Sequence, residues 1–367
     1  MKTNEQKRAL IVSVGYGEGH HAAALALSQE FTARNWSARV IDPCKMAHPF
    51  LFELTRRFYQ FCVRRAPWLW AITYAQTDTA DWSVKPFAPG LRGVTEMLAS
   101  QIEEFRPDVV LCTYPLYAHM LDALRKEERV NVPYAVVVTD ALEISRPWMV
   151  NKAPLIFLPD EYSLARVSER YALEPLRLAA VGFPVKREFS PGPERHLPDA
   201  QTLRIVYGAY APLKRVCRDL TALVTRFPEA RITVIAGERC GDLLCFESER
   251  VHVVSRTNRM HELFSSAHFY VGKAGAATVF EAYASHLPVL VNYALPGQEQ
   301  GNLELLLLDG AGCRVRSTAD MMATIETALA HSAAGWSRMR EAMSQSARSG
   351  GAREIADVLE RRFLYEE

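Results

Sequence analysis

The 367-residue chain lacks three features that would each assign it to a specialised class of protein. Its seven cysteines are scattered and form no Cys-x-x-Cys pair, which argues against a disulfide framework or a zinc site. Its formal net charge is only +1, so no overall field attracts nucleic acid or a membrane. No run approaches the ~20 apolar residues of a membrane-spanning helix. Any electrostatic targeting must therefore come from a local patch.

The first residues, MKTNEQKRALIVSVG, also lack the long apolar segment of a secretory signal peptide, and we expect a cytoplasmic protein. Hydrophobic residues make up 49% and charged residues 23% of the chain, which is ordinary for a soluble globular protein. Single hydrophobic cores stop growing at ~250–300 residues. The length therefore predicts about two domains.

Short apolar runs separated by helical patterns predict two parallel α/β domains. Between them, Lys186–Thr202 is rich in proline and charge and is typical of a linker. We expect a first domain over residues 1–185, a linker over 186–202, a second domain over 203–340 and a C-terminal helix over 341–367 that packs back on the first domain. The predicted strands are Ala9–Val14, Ala38–Ile41, Val109–Thr113, Tyr134–Val138, Leu155–Pro159, Leu203–Tyr207, Arg231–Ala236, Val251–Val254, Phe269–Val271 and Val289–Asn292.

A glycine-rich loop follows the first predicted strand and leads into a helix over Ala22–Arg34. It reads Gly15-Tyr-Gly-Glu-Gly19-His20, and its glycines permit a tight turn and close approach of a ligand. His20 is a candidate general base, because a neutral imidazole accepts a proton near physiological pH. The alternative is a helix-capping or solvent-exposed histidine.

The same glycines have a second interpretation, as a dinucleotide-binding loop. Gly15 and Gly17 fit the start of Gly-x-Gly-x-x-Gly, and Asp42 follows the second strand, where a ribose-binding carboxylate would lie. The third glycine of that motif, however, falls at His20, and Asp42-Pro43 is also a good strand-end turn in its own right. The pattern therefore gives little support to a nicotinamide or flavin cofactor.

The segment from Val271 to Gly312 predicts a site for a nucleotide-linked sugar. Backbone amides around Gly275–Thr278, at the start of a predicted helix, suit a diphosphate. Glu281, one turn further on, is placed to accept hydrogen bonds from a ribose diol. Gln298, Glu299 and Asn302 supply donors and acceptors in a compact loop, which suits a polyhydroxylated sugar.

Six motifs in order, spread over nearly the whole chain, are similar to those of one enzyme family. The chain resembles the monogalactosyldiacylglycerol synthases and the processive diacylglycerol glycosyltransferases, which are related to the lipid II-forming N-acetylglucosaminyltransferase. The matching elements are Gly17-Glu18-Gly19-His20, Pro107–Pro115, Val138-Thr139-Asp140 with Trp148, Val181–Phe189, Lys273-Ala274-Gly275 with Thr278 and Glu281-Ala282, and Pro296–Asn302.

The resemblance implies a GT-B fold, in which two doubly wound α/β domains face each other across a cleft. It implies an inverting transfer from UDP-glucose or UDP-galactose to diacylglycerol or another lipid, with His20 as the base and Asp140 in support. Stabilisation of the leaving diphosphate by amides and a helix dipole agrees with the absence of an Asp-x-Asp motif, and no metal or other cofactor is expected. The implied donor-binding residues are Gly208, Gly237, Lys273, Gly275, Ala276, Ala277, Thr278, Glu281, Gln298, Glu299 and Asn302.

The chain departs from the family pattern at three places. No histidine lies between Asp140 and Trp148, where the family usually has one. The phosphate loop reads Gly275-Ala-Ala rather than carrying two glycines, and the loop after Tyr207 is poor in glycine. These changes bear on the identity of the acceptor and of the donor more than on activity, because His20 and Glu281 remain.

A segment from Lys45 to Tyr74 combines aromatic, apolar and basic residues at helical spacing. Such a helix suits an anionic membrane interface, and a peripheral location on the inner face of the cell membrane would follow. The alternative is a core helix with a solvated basic face. We assign the acceptor and the membrane surface to Gly19, Arg56, Arg57, Phe58, Phe61, Arg64, Arg65, Trp68, Trp70 and Trp148.

Two other functions compete with transfer to diacylglycerol. One is the same chemistry on a different lipid or on a small hydroxylated acceptor. The other is a degenerate homologue that binds nucleotide or lipid without catalysis. The retention of His20 and Glu281 argues against the second. The sequence does not distinguish glucose from galactose, because the two sugars are epimers.

Overall fold

The chain folds into two compact α/β units in a computed structural model, which describes residues 6–66, 68–69, 72, 76, 90–171, 173–192, 196–297, 299–346 and 348–364. The first unit takes the described residues of Met1–Lys186, Pro296–Gln298 and Arg348–Glu367. The second takes those of Arg187–Leu295 and Glu299–Ala347. Within the described residues, no helix is long and apolar enough to cross a membrane.

The first unit is built on a six-stranded parallel sheet with the strand order β2-β1-β3-β4-β5-β6. Because the strand order reverses between β1 and β3, the loops after these strands diverge and leave a crevice at their carboxyl ends. Its strands are β1 (Arg8–Val12), β2 (Ser37–Ile41), β3 (Val109–Cys112), β4 (Tyr134–Val137), β5 (Leu155–Leu158) and β6 (Leu178–Ala180), and its helices are α1 (Glu18–Ala33), α2 (Pro43–Ala47), α3 (Pro49–Arg65), α4 (Arg92–Phe105), α5 (Pro115–Lys126), α6 (Glu161–Arg170) and α13 (Gly351–Leu364).

Alternating residues of the first sheet fill two buried cores, one on each face. Leu10 and Val12 of β1 pack with α4 and α5 on one face, whereas Ala9 and Ile11 pack with α1 and α13 on the other. Helix α13 contributes Ala352, Ile355, Ala356 and Leu359 to that second core, so the end of the chain completes the first unit. Both faces of the sheet are therefore covered, as an all-parallel sheet requires.

The second unit has a sheet of the same kind, with the strand order β12-β11-β10-β7-β8-β9 and a reversal between β7 and β10. All its strand pairs are parallel. Its strands are β7 (Arg204–Gly208), β8 (Arg231–Ile235), β9 (Val251–Val254), β10 (Phe269–Lys273), β11 (Val289–Tyr293) and β12 (Gly312–Arg314), and its helices are α7 (Leu213–Arg226), α8 (Cys240–Leu243), α9 (Met260–Ser266), α10 (Ala276–Ala284), α11 (Gln300–Leu308) and α12 (Thr318–Gln345).

The two predicted parallel sheets are confirmed, and all ten predicted strands are present. The structure adds the three-residue edge strands β6 and β12, which the sequence analysis did not predict. The C-terminal helix predicted over 341–367 is divided, because α12 ends at Gln345 and α13 spans Gly351–Leu364. Helix α12 itself is interrupted at Ala330–Ala333, where three successive residues have a positive φ. That kink leaves no mark in the apolar pattern of the sequence.

Candidate active site

His20 lies at the carboxyl edge of the first sheet, on the first turn of α1. The helix begins just before it: Gly17 is the N-cap residue of α1 and has an extended backbone, and no side chain caps the helix. The hydroxyl of Thr113, directly after β3, donates to the main-chain oxygen of His20 over 3.1 Å. The ring nitrogen Nδ1 lies 2.7 Å from Oγ1 of Thr139, in the loop after β4. Loops from β1, β3 and β4 thus converge on one imidazole.

Two aromatic rings surround the His20 imidazole. The ring of Tyr114 meets it edge-on with centroids 5.2 Å apart, and the ring of Trp148 lies at 6.0 Å. Burial in these surroundings disfavours the imidazolium and lowers the pKa of His20 to about 4. The imidazole is therefore neutral at physiological pH, which is the form that accepts a proton.

Asp140, expected to support His20, has a different partner in the structure. Its Oδ2 accepts a hydrogen bond from the indole Nε1 of Trp148 at 2.8 Å, and burial raises the pKa of Asp140 to about 6. Trp148 is only 1% exposed, and its ring packs beside the imidazole rather than on the protein surface. Acceptor contact by Trp148 and support of His20 by Asp140 stay predictions.

The carboxylate of Asp42 anchors the glycine loop by a hydrogen bond. Its Oδ2 accepts from the backbone N–H of Gly15 at 2.9 Å, and its Oδ1 accepts from the backbone N–H of Lys45 at 3.0 Å, which caps α2. The hydroxyl of Tyr117 also points at Oδ1, over 3.4 Å. Both carboxylate oxygens are engaged inside the fold, which favours the strand-end turn over a ribose-binding carboxylate.

The glycines of this loop are not demanded by the backbone itself. Gly15, Gly17 and Gly19 are absent from the positive-φ residues of the chain. A Cβ at Gly15 or Gly17 would meet its nearest neighbours at 3.5 and 3.6 Å, which is ordinary contact. If small residues are needed here, the need comes from what binds above the loop.

The second sheet presents charged groups at its own carboxyl edge. Lys273, at the end of β10, forms an ion pair with Glu299 in which Nζ and Oε1 are 2.7 Å apart. The other carboxylate oxygen of Glu299 accepts from the backbone N–H of Leu295 at 3.0 Å. The Lys273 ammonium also lies 5.2 Å from the ring centroid of Tyr210, in the loop after β7. Two residues predicted to bind the donor therefore hold each other.

Gly275 ends this strand-to-helix turn and is the N-cap residue of α10, with no side-chain cap. A Cβ on Gly275 would lie 2.9 Å from Nζ of Lys273 and 3.4 Å from Oε1 of Glu299, so a side chain would disturb the ion pair. The first helical residues, Ala276, Ala277 and Thr278, follow directly, and Glu281 is half-buried one turn further on. The predicted amide group and Glu281 are thus on one short helix.

Of three other predicted donor residues, Asn302 and Gly208 are enclosed by the fold, whereas Gly237 is not. Asn302 is 1% exposed and donates to the main-chain oxygen of Ala274 over 3.0 Å, so it lies beneath the turn. Gly208 is buried at the end of β7, where a Cβ would lie 2.6 Å from the hydroxyl of Tyr270. Gly237 follows β8 with φ +59° and has open space around it. Gln298 lies outside the described residues.

The predicted membrane segment includes helix α3, whose apolar stripe faces outward. The core-helix alternative required this stripe to be buried, but Phe58 and Phe61 are 52% and 54% exposed. On the same helix Glu53 pairs with both Arg56 and Arg57, which lowers the pKa of Glu53 to about 2. The exposed apolar residues of this stripe are Phe50, Leu51, Leu54, Phe58 and Phe61, with Trp68 beyond the helix.

Of the basic and aromatic residues assigned to this surface, only some are described in full. Arg64 and Arg65 lie in α3, but the described structure does not include their side chains, and Trp70 lies outside the described residues. Gly19 lies on the first turn of α1 beside His20. The described part of α3 therefore carries one net positive charge from Glu53, Arg56 and Arg57 together.

The sequence prediction missed Thr139 and Tyr114 as site residues. Both lie in the loops after strands of a parallel sheet, directly after the ends of the predicted strands Val109–Thr113 and Tyr134–Val138. Since the carboxyl ends of adjacent parallel strands share one edge, that position was an available signal. Among the described residues, no group of three or more His, Cys, Asp and Glu side chains is arranged to hold a metal ion.

Comparison with known proteins follows the same division of the chain. Residues 20–185 match the family model for monogalactosyldiacylglycerol (MGDG) synthase. The chloroplastic MGDG synthase of Spinacia oleracea is 25% identical over 344 residues, covering 87% of this chain but 65% of that enzyme. The processive diacylglycerol beta-glucosyltransferase of Bacillus licheniformis is 22% identical over 342 residues, covering 89% of this chain and 88% of that protein.

Solved structures with low sequence identity show the fold alone. MurG of Acinetobacter baumannii has a TM-score of 0.60 at 12% identity, covering 97% of this chain and 99% of that one. UDP-GlcNAc 2-epimerase of Neisseria meningitidis bound to UDP-GlcNAc has a TM-score of 0.60 at 14% identity, covering 97% and 100%. The predicted GT-B fold and the family resemblance are confirmed: this chain has a GT-B fold, and its residues 20–185 match the MGDG synthase family model.

Proposed function

We propose that this chain is an inverting glycosyltransferase that moves glucose or galactose from a UDP-sugar to diacylglycerol at a membrane surface. The observation that carries the proposal is the neutral imidazole of His20, held at the carboxyl edge of the first sheet by groups from the loops after β3 and β4. That edge lies inside the stretch that matches the MGDG synthase family model.

The acceptor step needs a base for one hydroxyl proton. Nδ1 of His20 already faces Thr139, so Nε2 is the nitrogen for the acceptor. Removal of the proton as the oxygen attacks the anomeric carbon produces inversion in a single displacement. Because any imidazole is a far weaker base than an alkoxide, proton transfer is concerted with attack rather than complete before it.

The donor step needs stabilisation of a departing diphosphate. Lys273 supplies a cation, and the uncapped first turn of α10 supplies backbone N–H groups at a positive helix end. The Lys273–Glu299 pair gives both side chains a partner before substrate arrives. In the proposed reaction Lys273 exchanges Glu299 for the diphosphate, and Glu299 accepts hydrogen bonds from the sugar hydroxyls. Activity without a metal ion is part of the proposal, and it predicts unchanged rates in EDTA.

The outward-facing stripe on α3 supports a membrane acceptor. Side chains such as Phe50, which is 83% exposed, present apolar surface to solvent. Burying such surface in a lipid interface is favourable by roughly 25 cal/mol per Å². We propose that α3 inserts this stripe at an anionic membrane and that the enzyme is peripheral on the inner face of the cell membrane.

Two alternatives remain distinct from this proposal. The same chemistry on another lipid or a small hydroxylated acceptor differs only in what approaches His20. A non-catalytic homologue would bind nucleotide or lipid without transfer, and the retention of His20 and Glu281 argues against it. The GT-B fold does not decide among them, since a structural neighbour with this fold is a UDP-GlcNAc 2-epimerase.

A direct assay tests the proposal. Purified protein is incubated with radiolabelled UDP-glucose or UDP-galactose and with vesicles of phosphatidylglycerol that contain diacylglycerol. We expect label in the organic phase from one of the two donors, and equal label after EDTA treatment. Label in lipid only when diacylglycerol is replaced by a polyprenyl lipid would favour the first alternative. UDP binding without transfer to any acceptor would favour the second.

A further inference from the structure

A hydroxyl, rather than a carboxylate, holds the ring of His20. Oγ1 of Thr139 is 2.7 Å from Nδ1, and Thr139 itself is 1% exposed, two residues beyond the end of β4. The neighbouring carboxylate of Asp140 is turned to the indole of Trp148. Strand β4 lies inside the sheet between β3 and β5, so the buried loop that carries Thr139 begins from a strand that is paired on both sides.

The direction of this hydrogen bond decides whether His20 can act as a base. A neutral imidazole carries one proton, on either Nδ1 or Nε2. If Nδ1–H donates to Oγ1, the lone pair is on Nε2 and faces the acceptor. If the hydroxyl donates to Nδ1, then Nε2 carries the proton and cannot take another. Free histidine in water favours the second form, so the protein must select the first.

We propose that Thr139 is a positioning residue whose Oγ1 accepts the Nδ1–H of His20 and so keeps the lone pair on Nε2. The inference rests on the proposed function of His20 as the base. In the transfer step the acceptor oxygen forms a bond to the anomeric carbon, and its proton moves to Nε2. The bond from the anomeric carbon to the diphosphate oxygen breaks, and its electron pair leaves with the diphosphate. The imidazolium then releases its proton to solvent.

A hydroxyl has a different consequence from a carboxylate at this position. A carboxylate would favour the imidazolium by its charge, and the ring would hold a proton more tightly before substrate arrives. Threonine fixes the same ring orientation and tautomer without adding charge. The aromatic neighbours Tyr114 and Trp148 are consistent with this, because they also leave the imidazole neutral.

The first test compares two substitutions of the same residue. Thr139→Val keeps the shape but removes the acceptor oxygen, whereas Thr139→Ser keeps the oxygen. We expect kcat to fall about 10–100-fold in Thr139→Val, a part of the 10²–10⁴-fold that a general base supplies, with an unchanged KM for UDP-sugar. Thr139→Ser should stay within threefold of the wild type. Thr95→Val, which removes another buried hydroxyl of the first unit, is the control and should leave kcat unchanged.

The second test reads the tautomer directly and needs no turnover. Nitrogen-15 NMR of the full-length protein labelled at histidine, with His20→Gln to assign the signal, reports which ring nitrogen carries the proton. We expect protonated Nδ1 in the wild type and in Thr139→Ser. Protonated Nε2 in the wild type would overturn the inference even if transfer occurs, and so would a Thr139→Val enzyme with kcat within twofold of the wild type. Protonated Nδ1 in a protein with no transferase activity would instead refute the proposed function and leave the hydrogen bond standing.

Discussion

The two units place opposite kinds of chemistry at equivalent edges of similar sheets. At the first edge, His20 is neutral, is bounded by aromatic rings and is held by a hydroxyl. At the second edge, Lys273 and Glu299 form an ion pair beside a helix N-terminus. A neutral, poorly solvated edge suits removal of a proton, whereas a charged edge suits a diphosphate and a polar sugar. The sheet topology provides the location, and the side chains provide the difference.

Replacing the base should have the largest effect on this comparison. His20→Ala should lower kcat by roughly 10²–10⁴-fold, the range for loss of a general base, while UDP affinity changes little because the donor residues belong to the second edge. Steady-state kinetics and calorimetry measure the two quantities. His21→Ala is the matched control, because His21 is the next residue and is exposed. Equal losses of activity in both variants would show that helix α1, rather than the imidazole, was disturbed.

Substitutions at the carboxyl edge of the second sheet should change UDP binding rather than proton transfer. Glu281→Ala should weaken UDP binding by about 1.5–3 kcal/mol, the usual contribution of a charge-assisted hydrogen bond to a ribose. Isothermal titration calorimetry gives the value directly. Glu249→Ala, at an exposed position of the same unit, should bind UDP as the wild type does. Unchanged affinity in a folded Glu281→Ala protein would remove Glu281 from the donor site.

The surface of the first unit predicts a membrane interaction dominated by apolar contact. Phe58→Ser with Phe61→Ser should weaken binding to phosphatidylglycerol vesicles by about 2–3 kcal/mol, since each half-exposed ring contributes roughly half of a fully buried one. An unpaired basic residue near an anionic surface contributes ~1 kcal/mol to membrane binding. Changing Arg56, Arg57, Arg64 and Arg65 to Ser should weaken vesicle binding by less than this per residue, because Glu53 already neutralises part of the charge of Arg56 and Arg57.

Vesicle sedimentation at two salt concentrations separates the two contributions. Salt should weaken the remaining electrostatic part, because exposed charges are screened beyond ~10 Å at 0.1 M. Binding of the phenylalanine variant should stay low at both concentrations. A wild type that does not sediment with the vesicles would leave the exposed stripe of α3 without a membrane role. Loss of binding only in the arginine variant would show that charge, not apolar contact, carries the interaction.

The smallest expected effect is that of mild acid on kcat/KM. As the pH falls, protonation of the base lowers the rate, but a pKa of about 4 leaves roughly nine-tenths of His20 neutral at pH 5. The rate from pH 7 to pH 5 should therefore fall less than about twofold, whereas a histidine at its ordinary value would lose roughly 30-fold. Asp140→Asn is the control, because the pKa of Asp140 is raised to about 6. A fall in kcat/KM that is centred near pH 6 and disappears in this variant would assign the loss of rate in acid to Asp140.

The sheets and the location of the candidate site could be predicted from the sequence because both depend on local patterns. Apolar runs marked the ten strands, and the glycine loop and the Lys273–Gly275 turn follow β1 and β10 as expected. The edge strand β6 was not predictable, because three half-buried residues carry too little apolar signal. Contacts between residues far apart in the chain left no local pattern at all.

The partners of the predicted site residues are such contacts. Thr139 meets His20 across 119 residues, and Lys273 meets Glu299 across 26 residues. The sequence assigned both members of the second pair to the donor, and only the structure shows that they engage each other. The outward orientation of the α3 stripe was equally hidden, because a periodic apolar face has the same spacing whether it meets a core or a lipid surface.

Analysis of whole-cell lipids decides whether the chain makes a hexosyl diacylglycerol through His20. Mass spectrometry compares cells that make the wild-type protein with cells that make His20→Ala at the same level. We expect a diacylglycerol carrying one or more hexoses in the first cells and its loss in the second. The absence of any such lipid in the first cells, or equal amounts in both, would contradict a diacylglycerol hexosyltransferase that uses His20.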